Sequence, residues 1–195
     1  MEIKEWTHQA SCLSCFGILK ILYEIFLKSD DRFILSKFHA YPALKSLTSK
    51  IEYEGGSLGM GLGVACGIAL SKKIKRELGM VVCLVGDGEL YEGSCWEAIM
   101  FASANKLTNL ICIVDRNYMS ASDFTENFMP LEPLTDKFDS FGWDGRLGSE
   151  EDLLSWLKTY RLRITEKPKY YVVNTIKGQG YKELEGDPMC HTRKI

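Results

Sequence analysis

Histidine and proline are scarce in this sequence, three and five residues among 195. Charge of either sign is not in excess: 24 Lys and Arg against 26 Asp and Glu leave a net −2. That balance marks no nucleic-acid surface and no anionic-membrane surface. No apolar run approaches the length of a membrane span, and the polar start MEIKEWTHQ is no signal peptide, so the expectation is a cytoplasmic protein. Internal repeats and low-complexity segments are absent. No G-x-G-x-x-G follows a first strand, which argues against a dinucleotide-binding domain. The seven cysteines include one C-x-x-C, Cys12 and Cys15, with no second pair or nearby histidine to complete a zinc site. Cys66, Cys83, Cys95 and Cys112 sit in apolar or helical stretches, as small core residues do. With 46% hydrophobic and 26% charged residues, the composition predicts a single globular domain over residues 1–195.

The most informative stretch is Val81–Asn117. Two short β-branched runs, Val81–Val85 and Leu110–Val114, read as buried strands. Between them Trp96, Ile99, Met100 and Ala104 recur at three- and four-residue spacing, which predicts a helix packed on those strands through these positions. Strand, helix, strand is a parallel crossover unit, and ligands of such sheets sit at the carboxyl ends of the strands. Asp87 and Asn117 each fall just past a strand end. A carboxylate and an amide there are hard oxygen donors suited to Mg²⁺ or Ca²⁺. Gly86 and Gly88 flank Asp87, permit close backbone approach, and are expected to present free N–H groups to an anion such as a diphosphate.

The remaining chain reads as alternating helices and strands. Cys12–Leu27 carries too many apolar positions for one face and predicts a largely buried helix. Arg32–Leu35 is a short strand, and Pro42 a first-turn residue of the next helix. The glycine-dense Gly55–Gly63 suits a close backbone approach, with an ordinary helix from Ala65 onward. Tyr118–Leu134 lacks periodicity and reads as an ordered loop over the site. Thr135–Phe141 is a short helix capped by Gly142. Ser149 caps another helix with an acidic first turn, and Lys169–Ile176 is a buried strand leading into KGQG. The fold class expected is α/β: a doubly wound, mostly parallel sheet flanked by helices.

GDG at 86–88, followed some thirty residues later by Asn117, resembles the diphosphate motif of thiamine diphosphate (TPP) enzymes. GDGELYEG-x-x-WEA and DRN look like the transketolase branch. GGSLGMG is similar to the family's GSLGxG, SKFHA to SKGHA, and TIKGQG followed by DPMCH to TxKGxG…H. His8 aligns with the histidine of a GH-x-G-x-x-LS motif. The resemblance covers nearly the whole chain and implies the TPP-binding fold of the diphosphate (PP) type. It implies that Asp87 and Asn117 hold Mg²⁺ (or Ca²⁺) by side chains and Met119 by its carbonyl. Gly56, Leu58, His39, Gly86, Gly88, Glu89 and His191 fall to the cofactor, with Gly88 touching the diphosphate. His191, His8 and Glu92 are the catalytic candidates, Glu92 matching a glutamate at the interface between cofactor-binding halves. Three departures bear on substrate recognition: Phe38 replaces a glycine, Thr7 precedes His8 in place of glycine, and the His39–Gly55 segment is short.

By the same resemblance, activation of TPP needs a glutamate from a second, pyrimidine-binding domain that does not follow here. The expectation is therefore the N-terminal subunit of a split transketolase-like enzyme, joined in an α₂β₂ assembly by a separate pyrimidine-binding subunit. It would move a ketol unit from a ketose or ketose phosphate to an aldehyde acceptor. Two other expectations stay open: a 1-deoxyxylulose-phosphate-synthase-like or acyl-transferring carboligase, and a non-catalytic regulatory subunit that keeps the fold.

Overall fold

Five parallel strands form one sheet in the computed structural model, in which residues 3–163 and 165–193 are described. They are β1 (Arg32–Leu35), β2 (Val81–Gly86), β3 (Leu110–Arg116), β4 (Asp144–Gly148) and β5 (Lys169–Asn174), in the spatial order β1-β2-β3-β5-β4. Every residue of β2 and β3 is buried, as the unbroken apolar runs require when helices cover both faces. The side chains alternate between two cores. Val82, Leu84, Ile111, Ile113, Tyr171 and Val173 face one. Val81, Cys83, Val85, Cys112, Val114, Tyr170 and Val172 face the other.

Helices α1 (Gln9–Lys20), α2 (Tyr41–Leu47) and α7 (Glu150–Leu162) supply the first core. Helices α3 (Gly61–Lys75), α4 (Gly93–Ala104) and α6 (Leu134–Ser140) supply the second. A four-residue helix α5 (Thr125–Phe128) interrupts the loop after β3. The doubly wound parallel α/β architecture expected from the sequence is the one observed.

Four local expectations are corrected. The buried stripe of α4 is Cys95, Ala98, Ile99 and Ala102, while Met100 is 54% exposed and Ala104 faces solvent. Small residues let this helix lie close on the sheet, so its inner stripe is offset from the large apolar ones. Helix α3 begins at Gly61 rather than near Ala65. A Cβ on Gly61 would come within 2.7 Å of the Ser36 Cα, so the glycine is what lets the helix start against β1. Strand β4 was not expected at all. It is a polar edge strand whose Gly145 lies against the Tyr170 carbonyl, where a Cβ would sit 1.9 Å away. Finally, the helix expected over Cys12–Leu27 is present as α1 continued by a π-helical turn over Ile21–Phe26, but Gln9–Phe26 is, against expectation, long and apolar enough to cross a membrane on length and composition alone. It is 61% buried against the sheet, as a core helix is.

Cys12 and Cys15 lie one turn apart inside α1, both buried, and burial pushes the Cys12 thiol up to about 11. They are core residues, not a redox pair.

One polar cluster staples the amino ends of the strands. Asp31 accepts hydrogen bonds from the backbone N–H of Lys28 and Met80, and its carboxylate receives the Arg161 guanidinium of α7 at 2.6 Å. Burial alone would raise the Asp31 carboxyl, but these donors more than offset it and hold it below the usual value. A depressed folded-state pKa adds stability that is fully present above about pH 4 and lost as pH falls through the folded value. Asp31→Asn should therefore cost about 2–3 kcal/mol near neutrality. It should also flatten the acid limb of stability below about pH 4. Urea midpoints measured as a function of pH check both; parallel curves for the two proteins would show that Asp31 carries no such linkage.

Candidate active site

The parallel register sets Gly86 beside Asp115, so the chain leaves β2 and β3 at the same rim. Asp87 follows immediately on β2 and donates its backbone N–H to the Asp115 carbonyl at 3.2 Å. Asn117 follows β3, and Tyr118 then turns through a left-handed conformation, φ 63°. That turn returns the Tyr118 N–H to Asp87 Oδ2 at 2.7 Å. The Met119 N–H meets Asn117 Oδ1 at 3.0 Å. Asp87, Asn117 and Met119 thus line one cleft of about 520 Å³ at the carboxyl end of the sheet.

Asp87 is 2% exposed. Burial and the neighbouring Asp115 carboxylate raise it to about 6, and the Arg116 guanidinium, 3.1 Å from Oδ2, works the other way. Arg116 is fully buried and also reaches Glu126 and Glu132 at 2.7 and 2.9 Å. It fixes the back of the Asp87 carboxylate.

The glycines behave differently from expectation. The Gly86 N–H bonds Glu89 Oε2 at 3.2 Å, and the Gly88 N–H bonds Asp87 Oδ1 at 2.8 Å. Neither amide is free for an anion, because the side chains of their own turn use them. Glu89 is buried; it accepts from Ser36 Oγ and, at 2.8 Å, from the Gly59 N–H. It braces the Gly55–Gly59 loop against the rim, and burial keeps its carboxyl raised.

Of the other sequence-derived candidates, Leu58, Glu92, His39 and His191 line the same cleft as the Asp87 rim. Leu58 and Glu92 are exposed to it. Gly56 is not part of the lining, although its neighbour Leu58 is. His8 stands behind the lining, its ring 4.4 Å from His39 and 4.9 Å from His191 between centroids. All three histidines of the chain therefore meet. Burial first, then neighbouring cationic groups, lower His39 and His191 to about 4, so both are neutral imidazoles at pH 7.

Sequence reasoning passed over three cations. Lys37 is buried and ion-paired with Asp115, and donates to Ser14 Oγ at 2.8 Å and the Ser11 carbonyl at 2.9 Å. Arg116 is the second. Lys177 is 2% exposed, lines the cleft and donates to the Ser120 carbonyl. Among the described residues it has no carboxylate within ion-pair distance, and burial lowers it. It is the cation at the rim that is left to face an anionic ligand.

A parallel α/β sheet whose carboxyl rim gathers buried oxygen donors and an uncompensated ammonium defines a cofactor-binding domain. Residues 32–194 match the family described as transketolase, thiamine diphosphate binding domain. The chain belongs to the transketolase family. It is 32% identical to the 6-deoxy-6-sulfo-D-fructose transketolase subunit SqwG of Clostridium sp. (strain MSTE9), over 96% of this chain and 83% of that one. It is 31% identical to a subunit of the apulose-4-phosphate transketolase of Phocaeicola vulgatus, over 94% of this chain and 80% of that one. Against the transketolase of Pongo abelii it is 30% identical over 96% of its own length and 36% of the relative's. The crystal structure of transketolase from Campylobacter jejuni has the same fold, with a TM-score of 0.80 at 22% identity over 98% of this chain and 40% of that one.

Proposed function

We propose that this chain is the diphosphate-binding subunit of a split transketolase that moves a ketol unit from a ketose phosphate to an aldehyde. The carrying observation is the shared rim: Asp87 and Asn117 on adjacent strand ends, in a domain of the thiamine-diphosphate-binding family. The donor set fits a hard divalent ion. A carboxylate, an amide oxygen and the Met119 carbonyl are ligands of the kind that Mg²⁺ or Ca²⁺ takes, and a cation there would hold the buried Asp87 ionised.

In this reading Lys177 neutralises the diphosphate, taking the anion role that the occupied Gly86 and Gly88 amides leave open. Leu58 packs on the cofactor rings, and His39 and His191, neutral and facing the cleft, orient substrate hydroxyls and exchange protons with them. Thiamine diphosphate, when bound, supplies the nucleophilic carbon that carries the two-carbon unit. Glu92, exposed beside Gly59, meets the partner. Support for a partner comes from the two relatives named as subunits, each covered by this chain over four fifths or more of its length. The partner is a pyrimidine-binding subunit, and the assembly α₂β₂.

The test mixes this chain with the candidate pyrimidine-binding chain and measures ketol transfer from ketose phosphates, with pyruvate as the competing donor. Transfer that requires both chains, TPP and Mg²⁺ is the expected result. Turnover with pyruvate alone would favour an acyl-transferring carboligase, and TPP binding without turnover on any donor would favour a regulatory subunit.

A further inference from the structure

We propose that His8, His39 and His191 form a three-imidazole site for a late first-row divalent cation such as Zn²⁺, with His39 and His191 on the wall of the cleft that also holds Asp87 and Asn117 and His8 behind them. The candidate ligand atoms of the three residues lie within 4.8 Å of one another. Three separate parts of the fold bring them together. His8 ends the segment before α1 in a left-handed conformation, φ 51°; His39 lies in the turn after β1; His191 lies in the carboxyl-terminal turn. The ring centroids are 4.4, 4.7 and 4.9 Å apart.

Imidazole is a borderline-soft donor that favours zinc, cobalt, nickel and copper over magnesium. A metal–nitrogen bond of about 2.0–2.1 Å puts tetrahedral ligand atoms roughly 3.4 Å apart, so the rings need draw in by no more than about 1.5 Å. One further feature favours it. The Nδ1 of His191 is buried and has no hydrogen-bond partner among the described residues, a cost that a metal bond or a rotation onto one would remove. The charges facing the cluster are Lys37, which Asp115 offsets, and Lys177, which opposes a dication and limits the affinity. With three protein ligands the fourth position stays open to water or to a substrate hydroxyl. An ion there would occupy the same imidazoles that the ketol-transfer reading assigns to substrate, giving a metal-inhibited state. The site itself does not depend on that reading.

Co²⁺ titration of the tag-free full chain, followed by visible absorption, tests it. Saturable one-to-one binding is expected, with the d–d bands of a low-coordinate nitrogen site, displaced by Zn²⁺ and not by excess Mg²⁺. His8→Ala, His39→Ala and His191→Ala should each weaken it by at least about a hundredfold. The wild-type chain carries only these three histidines, so paramagnetic shifts of histidine-selective ¹⁵N signals read the site without any variant: all three should move together. No saturable Co²⁺ binding, binding that excess Mg²⁺ displaces, or histidine signals that stay in place on titration would each overturn the proposal. TPP binding measured in parallel reports on the cofactor site separately.

Discussion

Asp87→Ala should leave the chain folded and abolish metal-dependent binding of TPP. The carboxylate is almost fully buried, so its removal relieves a desolvated charge. What it strands is limited: the Tyr118 N–H loses its acceptor, and the Gly88 N–H loses the carboxylate that closes its own turn. Arg116 keeps Glu126 and Glu132. The net change in stability should stay within about 1–2 kcal/mol, since gains and losses are of similar size. Binding is a different matter. A rim that has lost its one anionic oxygen ligand has no charge with which to hold a dication against its hydration shell. Cofactor affinity in the presence of Mg²⁺ should fall at least about a hundredfold, and its Mg²⁺ dependence should vanish. Calorimetric titration of TPP into the two-chain complex, with and without Mg²⁺, reads both. Undiminished Mg²⁺-dependent binding would remove Asp87 from the site, whatever the fold.

That site was legible because two kinds of signal coincided at one place. Short β-branched runs end abruptly at 85 and 114, and Asp87 and Asn117 follow those ends within two and three residues. Elsewhere the signals were weaker for physical reasons. Strand β4 carries two glycines that its close approach to β5 demands, so its sequence looks like a turn. Helix α4 lies on the sheet through small residues, so reading its inner face from the large ones misplaced it. The missed cations stood in plain view inside SKFHA, DRN and KGQG, beside the more conspicuous histidine, asparagine and glycines. The sequence did hold a signal for two of them. Asp115 and Arg116 follow the apolar run Leu110–Val114 without a break, and a charge that far into a buried strand needs a partner of opposite sign. The uncompensated charge of Lys177 had no such signal, since it depends on which carboxylates the fold keeps away.

The partner that Asp115 requires is Lys37, and breaking that pair should produce the largest loss of stability in the chain. Asp115 is fully buried. Its carboxylate is approached by Lys37, by Ser14 Oγ at 2.6 Å, by Asn117 Nδ2 at 3.4 Å and by the Thr175 hydroxyl. The network ties the ends of β1, β3 and β5 to α1. Burial works against the Lys37 ammonium, but Asp115 more than compensates and holds it charged. Lys37→Met leaves a buried carboxylate whose remaining partners are neutral, a change that costs about 3–5 kcal/mol. For a chain of this size that is a fall of roughly 10 °C in Tm. Restoring neutrality by Lys37→Met with Asp115→Asn should recover more than half of it, because the amide still accepts from Thr175 or Ser14 and no lone charge remains. A double-mutant cycle on urea midpoints should return a coupling of about 2 kcal/mol or more, whereas simple additivity would mean that the pair contributes nothing as a pair. The network also carries Asn117, whose amide nitrogen bonds Ser14 Oγ at 3.3 Å as well as Asp115. Under conditions where Lys37→Met is still folded, its Mg²⁺-dependent affinity for TPP should therefore be reduced too, and the double variant should regain stability more fully than it regains binding.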